Sequence, residues 1–440
     1  MVDTFAHFDH RRTCPVSALD IHRPFEPLCR TKDEVLLAMS GGGRIGFDAP
    51  YMPRACDMRW YDTAEICAIL SRFDRVLFVG DAMMRHVVGA LHVLVRENLG
   101  YGAVTAWNFR PDERDTCFCQ GQFDPLKCSV QGIFASDDVA RFDPASLRCA
   151  AGPAGAFSIQ THVITTHPPT DAELARLGDA LAYASSSSSS SSRGPVALVY
   201  GHGHHNDLNV DATAGWLGAI QHTIADQLPD AVARAQLFVT PGGFGPEMYD
   251  VDVVRHGSKA LSLFETAMAD VCRQNQIDLL GTVNATTQTT LTDGKHSDIR
   301  TNLLKAMMVL NWLDKVDPVR GQPVEHAASD SAGDSAGDNK AKPETTNPNP
   351  NPNTNPPLKE PKLPNHAAVA AVDAQTPQQP GTADTDKRAK SPSQAESVDK
   401  NSLSKVVPQE NEHMADQPGP DKAPAPAGLP RRKRKSGTRR

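Results

Sequence analysis

Short, uninterrupted apolar runs alternate with stretches of helical spacing along roughly the first three hundred residues, and this constrains the fold more than any other feature. RVLFV (75–79) and VALVY (196–200) lack the polar alternation of a half-exposed strand, so both of their faces must be covered. QLFVT (236–240) and residues 277–282 have the same character, while FSIQTHVITT (157–166) alternates and is β-branched. Residues 104–109 add a sixth candidate strand. Helical spacing runs over 83–97, over 171–184 with Thr170 and Asp171 as cap, and over 211–228, 259–275 and 299–313. Strands and helices in this order predict an α/β fold, a three-layer αβα sandwich around a mostly parallel sheet. In such sheets the chemistry gathers at the carboxyl ends of the strands.

The pattern stops abruptly. Trp312 is the last aromatic residue, and the chain beyond it is rich in Pro, Asn, Asp, Ser and Ala, as in TTNPNPNPNTNPPLKEPKLPN. Such a segment buries too little apolar surface to offset the entropy of ordering it, so 318–440 is expected to be a disordered tail. The tail ends PRRKRKSGTRR, a cluster suited to an anionic partner or to a nuclear-import receptor. The net charge is -7. Because the tail is basic, the acidic excess falls on the remainder, which argues against a nucleic-acid-binding core. Residues 1–70 read as an irregular, cysteine-containing lead-in packed on a domain spanning 71–317. The serine run 185–192 reads as a flexible surface loop within that domain.

All nine cysteines lie between Cys14 and Cys272. Cys117, Cys119 and Cys128 cluster, but CxC plus one distant cysteine lacks the paired CxxC spacing of a zinc site, so neither metal nor other cofactor is expected. Disulfides with a leftover thiol imply an oxidising compartment. The start, MVDTFAHFDHRRTCPV, shows no apolar segment of signal-peptide length, which leaves a cytoplasmic or nuclear alternative open. No stretch is long and apolar enough for a transmembrane helix. Asn284-Ala285-Thr286 is a glycosylation triplet of a kind that chance also produces.

Polar groups stand just past three of the strands. Asp81-Ala82 follows RVLFVG, the block YGHGHHNDLN contains His204 and Asn206, and Asp293-Gly294-Lys295-His296 precedes the closing helix. A G-D-x turn, an Asn-Asp block and DxxH in this order resemble the SGNH (GDSL-type) hydrolases. FVGDAMMRH with DGKH, preceded by ACDMRWYDTAEICAILSRFD, resembles the PC-esterase and trichome-birefringence-like branch. GTVNATTQTTLTDGKHSDIRTNLLKAMMVLNWLD is similar to its fungal members. The resemblance covers roughly residues 51–314.

By this resemblance His296 is the general base, Asp293 orients it, and Asn206 donates to the oxyanion. Gly121 or Gly132 is a candidate for the family's glycine block. The implied ligand is a carbohydrate or a small acyl (acetyl) ester, and the implied activity is ester hydrolysis or acetyl transfer. Asp81, Arg85 and His204 are further pocket candidates, with Arg85 suited to an acidic or acetylated sugar or, more plainly, to a surface carboxylate. The departure is at the nucleophile, where Ala82 stands in place of serine. Losing a triad serine costs about six orders of magnitude in turnover. Ser71 and Ser297 are the nearby alternatives, and both are poorly placed along the chain. Ala82 fits a natural pseudoenzyme, an introduced inactivating change or a one-base reading error. The competing class is a non-catalytic glycan-binding or interaction protein on the same fold, and a nuclear or cytoplasmic adaptor is the third. A metal on His202, His204 and His205, and a phosphate on PGGFGP, are the weaker readings.

Overall fold

The structure is a computed structural model that describes residues 2–129, 132–149, 157–187, 195–228, 234–245 and 254–317. Five strands form one sheet: β1 (Arg75–Gly80), β2 (Ile159–Val163), β3 (Val196–Gly201), β4 (Arg234–Val239) and β5 (Asp278–Leu280). Their spatial order is β2-β1-β3-β4-β5 and every neighbouring pair is parallel. The order reverses at β1, so a crevice opens where β1 and β3 end.

The alternation along β1 separates the two helical layers. Val76 and Phe78 face a cluster built from helices α1 (Lys32–Ser40), α2 (Thr63–Leu70), α3 (Ala82–Arg96) and α7 (Ile299–Lys315). Leu77 and Val79 face α4 (Asp171–Ser187), α5 (Val210–Gln227) and α6 (Ser258–Gln274). The chain is therefore a three-layer αβα sandwich, as its patterning predicts.

Two departures from the sequence expectations have plain causes. Residues 104–109 form no strand: Val104 makes an isolated bridge to Gly132, and Ala106–Asn108 is a single 3₁₀ turn. A short apolar run without a partner ladder has nothing to hold it extended. The serines from 185 do not all belong to a loop, because α4 runs on to Ser187. Once a helix is nucleated, extending it through serine costs only about half a kcal/mol per residue. The rest of the run, and the tail from 318 with its basic end, lie outside the described residues.

The lead-in is more ordered than its irregular composition suggests. Two capping boxes start α1 and α2, Thr31 with Glu34 and Asp62 with Glu65, each satisfying otherwise orphaned backbone N–H groups. The segment also seals the far side of α7, which is buried from Ile299 to Leu313 almost all round. The Tyr61 hydroxyl donates to Asp314 at 2.9 Å, and Arg59 exchanges two backbone bonds with the Asn311 amide at 2.8 and 2.7 Å. Lys32 pairs with Asp278 at 2.7 Å.

Eight cysteines are joined as Cys14–Cys119, Cys29–Cys56, Cys67–Cys149 and Cys117–Cys128. The sulfurs of the CxC cluster are therefore oxidised and not poised as thiolate ligands. Cys272 is the free, buried thiol among the described residues, and burial pushes its pKa up to about 12. None of the described helices is long and apolar enough to cross a membrane.

Candidate active site

The turn before α7 is folded by its own side chains. Asp293 Oδ1 accepts from the backbone N–H groups of Lys295 and His296 at 2.9 and 2.7 Å. Gly294 between them sits at φ 79°, a conformation that costs glycine little and other residues more. Asp293 Oδ2 is thereby left 2.7 Å from His296 Nδ1. Burial alone would raise the Asp293 pKa, but the bonds from His296 and Lys295 outweigh it and hold the carboxyl below its ordinary range. A carboxylate that takes Nδ1–H fixes the tautomer and leaves Nε2 free to accept a proton. The two side chains are 18% and 16% exposed, so the pair sits at a mouth, open to a ligand.

Position 82 is the first residue of α3, and Asp81 caps that helix by accepting from Met83 N at 2.9 Å. Residues 82 and 86 share one helix face. The His86 ring lies 5.2 Å from that of His296, so the face that carries Ala82 one turn earlier is the face turned toward the DGKH loop. His86 is buried, and burial first, then the neighbouring His296 charge, keeps it neutral far below the usual imidazole range. Asp81 is buried as well. Burial raises its pKa, while His205 and His202 pull it back.

Arg85 points the other way. Its guanidinium lies over the Phe134 ring at 5.8 Å, and the Gly132 backbone packs against its stem. Among the described residues no carboxylate pairs with it, so the surface ion pair offered by the sequence is not formed. Burial lowers its pKa with nothing to offset it. Of the two candidate glycines, Gly132 is therefore the one beside the first turn of α3. Gly121 is locked in a separate 3₁₀ turn against the Thr116 carbonyl.

Asn206 is turned toward its own loop and α5. One terminal atom lies 2.8 Å from Thr213 Oγ1, and the orientation that satisfies both ends has Nδ2 donating to the Gly203 carbonyl and Oδ1 accepting from Thr213. An oxyanion would have to compete for that amide. The histidines beside it diverge. His202 stacks on Trp216 at 4.7 Å with Nε2 3.1 Å from the Thr165 carbonyl, whereas His204 packs edge-on to Phe244 at 4.4 Å and close to His256. Burial pushes His204 down to about 3. Among the described residues no group of three or more His, Cys, Asp or Glu side chains is arranged to hold a metal ion. Gly243 N donates to Thr286 Oγ1 and Gly245 N to the Gly294 carbonyl, so the described part of PGGFGP braces the DGKH turn.

The two alternative serines separate. Ser71 caps the end of α2, exposed and away from the strand ends. Ser297 is buried, and its Oγ accepts from Lys305 Nζ at 3.2 Å. Sequence reasoning passed over His86 and Lys305. The available signals were the i, i+4 relation of 82 to 86, and Lys305 as the one charge between residues 301 and 313, in the middle of the closing helix. No model of a known protein family matches the chain, and no curated protein matches it in sequence.

Proposed function

We propose that this crevice is an acyl-ester site of the SGNH and PC-esterase type, with Asp293 and His296 as its orienter and base, and that Ala82 stalls it before acyl transfer. The Asp293–His296 pair, set against the α3 face that carries position 82, is the observation that supports this most. In this reading a serine hydroxyl at 82 gives its proton to His296 Nε2, attacks the ester carbonyl, and leaves an acyl-enzyme for water or an acceptor hydroxyl to clear. Without that hydroxyl the protein retains an ester or glycan pocket without covalent chemistry. Arg85, half-buried with no described carboxylate partner, is the group best placed to select an acidic or acetylated sugar. Four disulfides support residence in a compartment that keeps thiols oxidised.

The test is hydrolysis of an acetyl ester, first a chromogenic phenyl acetate and then an acetylated oligosaccharide, by the protein and its Ala82→Ser variant. Serine at the first helical position costs about 0.5 kcal/mol, so the variant should fold. Turnover should rise by about 10³-fold or more over the alanine form. Equal rates, with both proteins folded, would remove position 82 from the site.

A further inference from the structure

A second constellation lies deeper, where the ends of β1, β3, β4 and β5 meet α3 and α7. A narrow cavity there is walled by Met83, Met84 and Val87 on α3, by Val239 at the end of β4 with Thr240 and Gly242 just beyond it, and by Asp81, His202 and Lys305. Its innermost part holds roughly one water-sized group, so neither a sugar ring nor a three-carbon molecule fits and a one-carbon carbonyl compound does. Neither Ala82 nor His296 contributes to the wall, so chemistry in this cavity stands or falls independently of the ester reading.

Lys305 reaches this cavity from the buried middle of α7, where every other residue from 303 to 310 is apolar, and the residue is itself 7% exposed. A long cationic side chain normally snorkels to water. Here the amine is anchored by Ser297 Oγ at 3.2 Å and turned to the cavity wall, while Ser297 lies outside that wall. Gly242 keeps the approach open, since a Cβ there would stand 3.2 Å from Nζ. Burial pushes the amine pKa down to about 8, against the opposing pull of Asp81 and Asp298. His86, His204 and His202 are the other titratable groups turned toward it. At pH 7 about a tenth of such amines are neutral, on the order of two hundred times the fraction at an ordinary surface lysine. A desolvated lysine in an apolar pocket is the usual setting for covalent chemistry with carbonyl compounds.

We infer that Lys305 captures a one-carbon aldehyde, formaldehyde, as an imine in this cavity. The neutral Nζ forms a bond to the carbonyl carbon while the C=O π pair moves to oxygen. That oxygen takes up one proton and nitrogen gives one up, which yields a carbinolamine. A second proton on the oxygen lets the C–O bond break, water leaves as the nitrogen lone pair closes the C=N bond, and the protonated imine gives its remaining N–H proton back to the Asp81 carboxylate. Asp81 is the acid at the wall. One of its oxygens accepts from Met83 N, and the other accepts no hydrogen bond from the described residues. No oxidant or reductant is needed, and hydrolysis reverses the step.

The experiment uses the full chain, folded and with its disulfides intact. It is incubated at pH 7 with limiting formaldehyde and sodium cyanoborohydride, digested, and mapped by mass spectrometry. Lys305 should carry the reduced adduct at least tenfold faster than exposed Lys295. Its labelling rate should climb with pH and level off above about 8, and the preference should vanish in urea. If Lys305 stays unlabelled, or reacts no faster than Lys295, its amine merely balances the Asp81 charge and the inference fails. No variant is required, so a folding defect at position 305 cannot blur the result.

Discussion

Acid should weaken this fold through one imidazole that can be isolated from the rest. His92 lies in the middle of α3 and is fully buried. Its Nδ1–H donates to the Val88 carbonyl at 2.9 Å, and Nε2 meets no partner. Burial lowers its pKa from 6.5 to about 4, the Val88 carbonyl resisting and Arg96 assisting. The folded pKa lies below the unfolded one, so the unfolded chain binds the proton first. The stabilisation is complete above pH 6.5 and is lost as pH falls toward 4. The full gap corresponds to about 3 kcal/mol, of which about 2.5 kcal/mol has gone by pH 4.5. Replacing His92 with leucine keeps the volume, removes the unpartnered nitrogen, and should change stability at pH 7.5 by less than about 1 kcal/mol. Urea titrations followed by tryptophan fluorescence, at pH 7.5 and 4.5 under non-reducing conditions, give the answer. Between the two pH values the unmodified protein should lose about 2.5 kcal/mol more than His92→Leu. His86, His162 and His204, also held down by burial, are common to both proteins and cancel. Equal losses would mean that His92 gains its proton without leaving the folded state, and the burial argument would be wrong.

Three further outcomes come from the same geometry. In the Ala82→Ser background, Asp293→Asn should cut ester turnover by about 10³- to 10⁴-fold at similar KM, because the imidazole loses its orienting carboxylate. Gly294→Ala, at φ 79°, should cost about 1–2 kcal/mol in urea midpoint analysis and should slow that serine form by loosening the DGKH turn. Removing Cys67–Cys149 with paired serines should lower stability by about 4–5 kcal/mol, since the bridge closes a loop with a sequence separation of 82, and a midpoint shift below a quarter of that would refute the loop-entropy account.

The sheet was legible because parallel strands buried on both faces write themselves as apolar runs, as at 76–79 and 196–200. Helix starts at 83 and 299 were legible from apolar spacing to within a residue, although the caps that set them, Asp81 and Asp298 accepting from backbone N–H groups, were not singled out. Asp293 and His296 were legible as a pair because three residues and one glycine suffice to bring them together. Other features depend on distant contacts. The run at 104–109 looked like a strand because its composition says nothing of a missing partner. Nine cysteines do not reveal that Cys14 meets Cys119. Lys305 was not legible as a site residue, because its burial depends on the elements that pack around α7.

The closure of the lead-in over α7 has a consequence for how the chain is made on a ribosome. Tyr61, Arg59 and Lys32 leave the exit tunnel early, yet Asp314, Asn311 and Asp278 emerge more than two hundred residues later. At common elongation rates the wait is roughly ten to fifty seconds. Throughout it the inner face of the lead-in has no α7 to cover, although Cys14 and its partner Cys119 are both already synthesised. The nascent protein therefore passes through a stage in which the lead-in is complete but uncapped, with its apolar surface still exposed. Chaperone occupancy on stalled nascent chains should peak there and fall once residue 315 clears the tunnel.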